Sequence, residues 1–180
     1  SSKPADIVLD PFCGSGTVLQ EALLMGYQNL IGSDISAKAV ANSQNNLNWL
    51  KTKYRLNIAN VKIYELDVRN LAHKLNAESV SAIVTEPYLG EPDKSKVKSQ
   101  KFEDLENLYL DAFRQFFKVL KPAGKVVMIL PIISGQKMEI LSQIEKIGFK
   151  IEELSQDPRK SIVYGREGQR VEREIFLFER

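Results

Sequence analysis

Asp10-Pro11-Phe12-Cys13-Gly14-Ser15-Gly16-Thr17 joins an apolar run, Ile7-Val8-Leu9, to an amphipathic stretch reaching Met25. The run reads as a buried strand that ends at Asp10. The stretch from Thr17 to Met25 reads as a helix, with Leu19, Ala22 and Leu23 on one face and Gly26 just past its end. Gly14 and Gly16 allow a tight turn and close approach of a ligand to the backbone. The loop starts like the dinucleotide fingerprint G-x-G-x-x-G but carries Leu19 where the third glycine belongs. It lacks the Lys-Ser/Thr pair of a phosphate-binding loop, and no basic residue stands near it. A carboxylate such as Asp10 repels a pyrophosphate and attracts a cation.

The same strand-to-helix unit recurs downstream. Leu30-Ile31-Gly32 leads into a strand ending at Asp34, and a helix runs from about Ser36, its N-cap, to Thr52. Val61 to Leu66 alternates as a strand and ends at Asp67. Ala82-Ile83-Val84 forms a fourth strand that ends near Glu86. A long helix then carries Phe102, Leu105, Leu108, Tyr109, Phe113, Phe116, Phe117 and Leu120 at helical spacing, with Pro122 and Gly124 closing it. Lys125 to Leu130 reads as a fifth strand. Lys137 to Ile147 reads as a helix with Met138, Leu141 and Ile144 facing inward. The tail holds three strand-like stretches, Ile151 to Leu154, Ser161 to Tyr164 and Glu172 to Phe178, with a turn at Gly165 to Gly168 between the last two.

Five such units imply an α/β fold with a parallel sheet covered by helices on both faces, and the tail implies an antiparallel addition at one edge. The composition agrees. The 180 residues suit one domain, and 43 % hydrophobic with 27 % charged residues is ordinary for a globular chain. One cysteine, Cys13, and one histidine, His73, leave no intrachain disulfide and no zinc-type ligand set. A net charge of +2 neither requires nor excludes a polyanion. No apolar run approaches the ~18 residues of a membrane span, and no signal peptide opens the sequence. Trp49 and the aromatic stripe of the long helix read as core, and His73 carries no assigned role.

Ligands of open parallel sheets bind beyond the carboxyl ends of the strands. Asp10, Asp34, Asp67 and Glu86 each end a strand there. Any one of them alone suits a turn; four in order make a site. Asp34, twenty positions after Gly14, is placed to accept bonds from both ribose hydroxyls. Asp67 is placed to accept one from an adenine amine. Acid, glycines, acid, acid describe a site for a nucleoside with a positively charged tail, and S-adenosylmethionine has that shape. Cys13 reads as a small loop residue, since no histidine is near it in sequence to make it a nucleophile.

Asp10 to Thr17 resembles the first motif of class I S-adenosylmethionine-dependent methyltransferases. Gly32-Ser33-Asp34-Ile35 resembles the second, and Glu65-Leu66-Asp67-Val68 the third. The resemblance covers essentially the whole chain. It implies a Rossmann-like, doubly wound, mostly parallel seven-stranded sheet of order 3-2-1-4-5-7-6 with an antiparallel last strand. It implies S-adenosylmethionine as cofactor, contacted by Asp10, Phe12, Cys13, Gly14, Gly16, Asp34, Ile35, Asp67 and Val68, with no metal. Thr85-Glu86-Pro87-Tyr88, followed by Leu89-Gly90, stands where the amine-methylating branch usually carries Asp/Asn-Pro-Pro-Tyr. That motif accepts the N–H bonds of an aromatic amine, holds it in line with the methyl group and stacks an aromatic ring on the base. Thr85 replaces the acid or amide and Glu86 the first proline. A glutamate there suits guanine, whose ring N–H and exocyclic amine offer adjacent donors to one carboxylate.

Thr85 to Gly90 and the tail from Tyr164 to Ile175 resemble the catalytic domain of THUMP-associated tRNA guanine methyltransferases. The implied catalytic residues are Thr85, Glu86, Pro87 and Tyr88. The implied partner is RNA, tRNA first, with no membrane, in the cytoplasm. Lys94, Lys96, Lys98 and Lys101 in one loop, and Arg159, Lys160, Arg166, Arg170 and Arg173 in the tail, are candidates to meet phosphates; a solvated loop is the equal reading. The chain reads as one catalytic domain, 1–180, cut from a longer protein with an RNA-binding region upstream. Alternatives are a DNA adenine or cytosine amino-methyltransferase, a protein glutamine methyltransferase, and a non-catalytic RNA-binding module that retains the fold.

Overall fold

The structure is a computed structural model, and it describes residues 6–56, 58, 60–89, 99–166 and 170–180. The elements in chain order are β1 (Val8–Asp10), α1 (Thr17–Leu24), β2 (Leu30–Asp34), α2 (Ala37–Tyr54), β3 (Val61–Glu65), a 3-10 turn (Val68–Asn70), α3 (Leu71–Lys74), β4 (Val80–Thr85), α4 (Ser99–Val119), β5 (Leu120–Ile133), α5 (Leu141–Ile147), β6 (Lys150–Glu152), β7 (Ile162–Tyr164) and β8 (Val171–Glu179).

The strands form one sheet of order β3-β2-β1-β4-β5-β8-β6. Pairings from β3 across to β5 are parallel; those made by β8 are antiparallel. The expected order holds, with the long last strand set between β5 and β6. The count is eight rather than seven, because β7 pairs with β8 at Ile175 to Arg173, on the same edge that β6 occupies further along.

Successive residues of each strand feed opposite faces. Leu9 and Ile83 join Tyr109, Phe113 and Phe116 of α4 and Phe176 and Phe178 of β8 in the larger core. Val8 and Leu30 join Leu19 and Leu23 of α1 and Leu47 and Leu50 of α2 in the smaller one. Phe113 anchors the larger core, meeting Phe178 and Phe149 edge-on at centroid separations of 4.9 and 5.2 Å. At the start of α2, Ser36 Oγ accepts from the Ala39 N–H, as its N-cap reading requires.

Three expectations are corrected. Trp49 is 57 % exposed rather than core, with the Lys53 ammonium 4.5 Å above its ring. The buried stripe of α2 is Val40, Ser43, Leu47 and Leu50, and Trp49 lies a hundred degrees around the helix from Leu50. Pro122 and Gly124 do not end the long helix, which stops at Val119. They lie within β5, where the register against β4 slips between Val80–Leu120 and Ala82–Lys125. This bulge is pinned by Ala123 N–H donating to the Arg180 carbonyl and Arg180 N–H donating to that of Gly124. The helix expected over 137–147 starts only at Leu141. Before it, the Arg159 guanidinium donates to the Met138 carbonyl and Glu106 accepts from the Glu139 N–H, so side chains satisfy backbone groups that a helix would otherwise pair.

Candidate functional site

A cleft of about 510 Å³ opens at the carboxyl ends of β1 to β4. Its first wall is the β1–α1 loop, through Pro11, Phe12 and Gly14. Gly14 has φ +51, and a Cβ built on it would meet nothing within 4 Å, so its backbone faces open space. Gly16 lies behind the wall as the N-cap of α1, with φ +83, and a Cβ there would come within 2.3 Å of Ser43 Oγ. The loop is tied to β2 twice: Cys13 N–H donates to the Ser33 carbonyl at 2.9 Å, and Gly14 N–H donates to Asp34 Oδ2 at 3.0 Å.

Asp34 also accepts from Ser36 N–H through Oδ1 at 2.9 Å. Its carboxylate is thus fixed at the cleft with one bond on each oxygen, and capacity remains for further donors. Ile35, exposed at the rim, and Leu66 and Val68 add apolar surface. Asp67 lines the cleft as expected, but its carboxylate is engaged by Arg69 through Nε, Nη2 and the backbone N–H. Those bonds hold its carboxyl below the usual range. Arg69 itself lines the cleft, which the sequence reading missed; an acid followed two residues later by an arginine just after a strand was the available signal.

The acceptor end is formed by Glu86, Pro87, Tyr88 and Leu108. Tyr88 presents an exposed ring. Its carbonyl accepts from the hydroxyl of Tyr109, a fully buried residue of α4, at 2.6 Å. Tyr109 was read only as core, because it sits in a stripe of aromatics that all face inward. Glu86 Oε1 accepts from Arg173 Nε at 2.8 Å.

Asp10, Cys13 and Thr85 lie beneath the cleft rather than in its lining. Thr85 Oγ1 donates to Asp10 Oδ1 at 2.6 Å, joining the ends of β4 and β1, and Phe12 N–H donates to the same oxygen. Asp10, 2 % exposed, is therefore a buried tie under the loop, not a carboxylate facing a cation. Burial pushes its carboxyl up to about 7, against the Thr85 and Phe12 bonds and with help from the charges of Asp34 and Glu86. Burial, with Asp10 and Asp34 nearby, pushes the Cys13 thiol up to about 12 and keeps it a neutral packing group.

The Asp10 shift has a testable consequence. Between its ordinary 3.8 and about 7, the folded state binds a proton that the unfolded chain has released. The contribution of Asp10 to stability is therefore largest at acid pH, falls through that window and is gone above it. In urea unfolding at about pH 5 and about pH 8, the wild type should lose stability relative to Asp10→Asn as the pH rises. A difference from Asp10→Asn that does not change with pH would mean that Asp10 is ionised in the folded protein throughout that range.

Of the candidate phosphate contacts, Lys94, Lys96 and Lys98 lie outside the described residues. Arg166 and Arg170 are exposed at the two ends of the β7–β8 connection. Arg159 is turned inward: its Nε donates to Glu174 Oε1 at 2.9 Å, where Ser161 Oγ and Lys137 Nζ also donate to that fully buried acid. Among the described residues there is no group of three or more His, Cys, Asp or Glu that would hold a metal, and no helix is long and apolar enough to cross a membrane.

A family model described as the RMKL-like methyltransferase domain matches residues 1–146. The tRNA (guanine(10)-N2)-dimethyltransferase of Methanocaldococcus jannaschii is 36 % identical over 146 residues, covering 79 % of this chain and 36 % of that protein. The mouse tRNA (guanine(6)-N(2))-methyltransferase THUMP3 is 28 % identical over 135 residues, 71 % of this chain and 25 % of its own length. The chain thus spans about a third or less of these two relatives. In fold, it matches the crystal structure of TrmN from Thermus thermophilus with a TM-score of 0.68 at 20 % identity, over 98 % of this chain and 44 % of that one.

Proposed function

Because the chain belongs to the RMKL-like methyltransferase domain family, we propose that it transfers a methyl group from S-adenosylmethionine to the exocyclic amine of guanine in tRNA. The observation that carries this reading is one cleft holding both the Gly14–Asp34 cradle and the Glu86-Pro87-Tyr88 acceptor segment. Relatives named as tRNA guanine N2-methyltransferases support the choice of base and RNA. RNA capture by an additional domain, and action in the cytoplasm, belong to the same proposal.

The cleft residues fit the cofactor. Asp34, with capacity left on both oxygens, would hold the ribose hydroxyls. The open backbone at Gly14 would receive the amino-acid end, and Ile35, Leu66 and Val68 would flank the adenine. Asp67 would share its carboxylate between Arg69 and the adenine amine. When bound, S-adenosylmethionine supplies an electrophilic methyl on a positively charged sulfur. The chain's own work is at the acceptor: Glu86 accepts the paired N–H donors of guanine, and Tyr88 stacks on the base. Alignment and water exclusion in this cleft supply the remaining rate.

The direct test is labelled methyl transfer to tRNA, DNA and protein offered side by side. Label is expected in tRNA, recovered on guanine N2. Label in DNA adenine or in protein glutamine would overturn the reading.

A second expectation concerns Tyr109. Tyr109→Phe removes the hydroxyl that holds the Tyr88 carbonyl while leaving the ring packed. It should cost about 1 kcal/mol in thermal unfolding. Methyl transfer should fall by about fivefold to tenfold, since slight misplacement of an acceptor group is felt strongly in rate. A shift in unfolding with unchanged transfer would make the bond structural only.

A further inference from the structure

We infer that Arg173 is a positioning residue for the acceptor base, acting through Glu86. The inference rests on the reading of Glu86 given above. The two residues lie 87 positions apart, and Arg173 Nε donates to Glu86 Oε1 at 2.8 Å. Arg173 is a third exposed and Glu86 two-fifths, so the pair sits at the rim of the cleft and not in the core.

The mount behind Arg173 is rigid. It lies in β8 with neighbours on both sides: Pro131 of β5 on one edge and Tyr164 of β7 on the other. The next residue, Glu174, is fully buried on the opposite face and bonded by Ser161, Arg159 and Lys137. Strand alternation then leaves Arg173 one face to occupy, the one from which it meets Glu86. Glu86, by contrast, stands just past the end of β4, on a side chain with freely rotating bonds. A guanidinium held by a doubly paired strand fixes that carboxylate through one bond on Oε1 and leaves acceptor capacity on both oxygens for the base.

The contact also reassigns Arg173. By sequence it belongs with the tail cations that would meet phosphates; in the fold it faces a carboxylate. A phosphate contact would alter RNA affinity and its salt dependence. A positioning residue alters the transfer step.

The test is single-turnover methyl transfer to tRNA with protein in excess, using the protein in its native length. Arg173→Ala, Arg173→Gln, Arg173→Lys, Glu86→Gln and the Arg173→Ala/Glu86→Gln double variant are compared, with calorimetric titration of S-adenosylmethionine on each. Arg173→Ala is expected to slow transfer about tenfold or more, with the half-saturating RNA concentration and cofactor affinity within about threefold of wild type. Arg173→Lys should recover part of the rate. The double variant should be no slower than Glu86→Gln alone, within about twofold, because both remove one unit.

If Arg173→Ala disturbs cofactor affinity, Arg173→Gln gives the reading with the side-chain volume kept. A loss confined to RNA half-saturation, or losses that multiply in the double variant, would overturn the inference. Arg173 variants at wild-type rate beside a crippled Glu86→Gln would overturn it alone. Glu86→Gln at wild-type rate would overturn both this inference and the reading beneath it.

Discussion

Asp34→Ala is expected to weaken S-adenosylmethionine binding by at least about a hundredfold. The carboxylate would lose two charge-assisted bonds to ribose hydroxyls, and bonds of that kind contribute about 1.5–3 kcal/mol each. The effect has a second source. Asp34 already fastens Gly14 N–H and Ser36 N–H, so alanine also loosens the cradle and the entry to α2. Asp34→Asn separates the two. An amide keeps one acceptor oxygen, so it should hold part of the loop while losing most of the ribose contact. Calorimetric titration with the cofactor and with its demethylated product reads both variants. An Asp34→Ala affinity within about threefold of wild type would remove Asp34 from the cofactor site.

Glu86→Gln is the complementary change. It should lower methyl transfer by about a hundredfold to a thousandfold and leave cofactor affinity alone. A glutamine presents one acceptor and one donor where the guanine edge presents two donors, so one N–H pair would face another. Sites that hydrogen-bond their substrate discriminate strongly against such mismatches, because a buried polar group is left unpaired. The substitution also removes the charge that Arg173 meets. Methyl transfer to guanine at the wild-type rate would show that Glu86 does not receive the base. Transfer moved from guanine to adenine would instead show that it does, with its preference altered.

The parts of this fold that were legible in the sequence are those set by local pattern. The first four parallel strands run out at an acid, and the helices after β1, β2 and β4 carry an apolar spacing that names their buried face. That was enough to place Asp34, Asp67 and Glu86 around one cleft. What could not be read depends on partners distant in the chain. Asp10 has the same local setting as Asp34, and only the approach of Thr85, 75 residues away, makes it a buried tie. Arg173 and Arg159 looked alike in the tail, yet one meets an acid of the cleft rim and the other an acid of the core. Pro122 and Gly124 have the chemistry of a helix stop, and the C-terminal Arg180 turns that stretch into a bulge within a strand. Trp49 was misjudged by residue type, where its angle on α2 was the better guide.

The hydroxyl of Tyr109 makes the acceptor loop an extension of the hydrophobic interior. Tyr109 packs in the same core as Phe113, Phe116 and Phe178, and its far end holds the carbonyl of Tyr88. Substitutions deep in α4, far from any ligand, therefore shift the surface on which a base would rest. In a genetic screen for the proposed methyl transfer to RNA, silent-looking changes in that helix would surface as activity phenotypes before they surfaced as insoluble protein. Selection for the modified nucleotide would double as selection for the packing of α4.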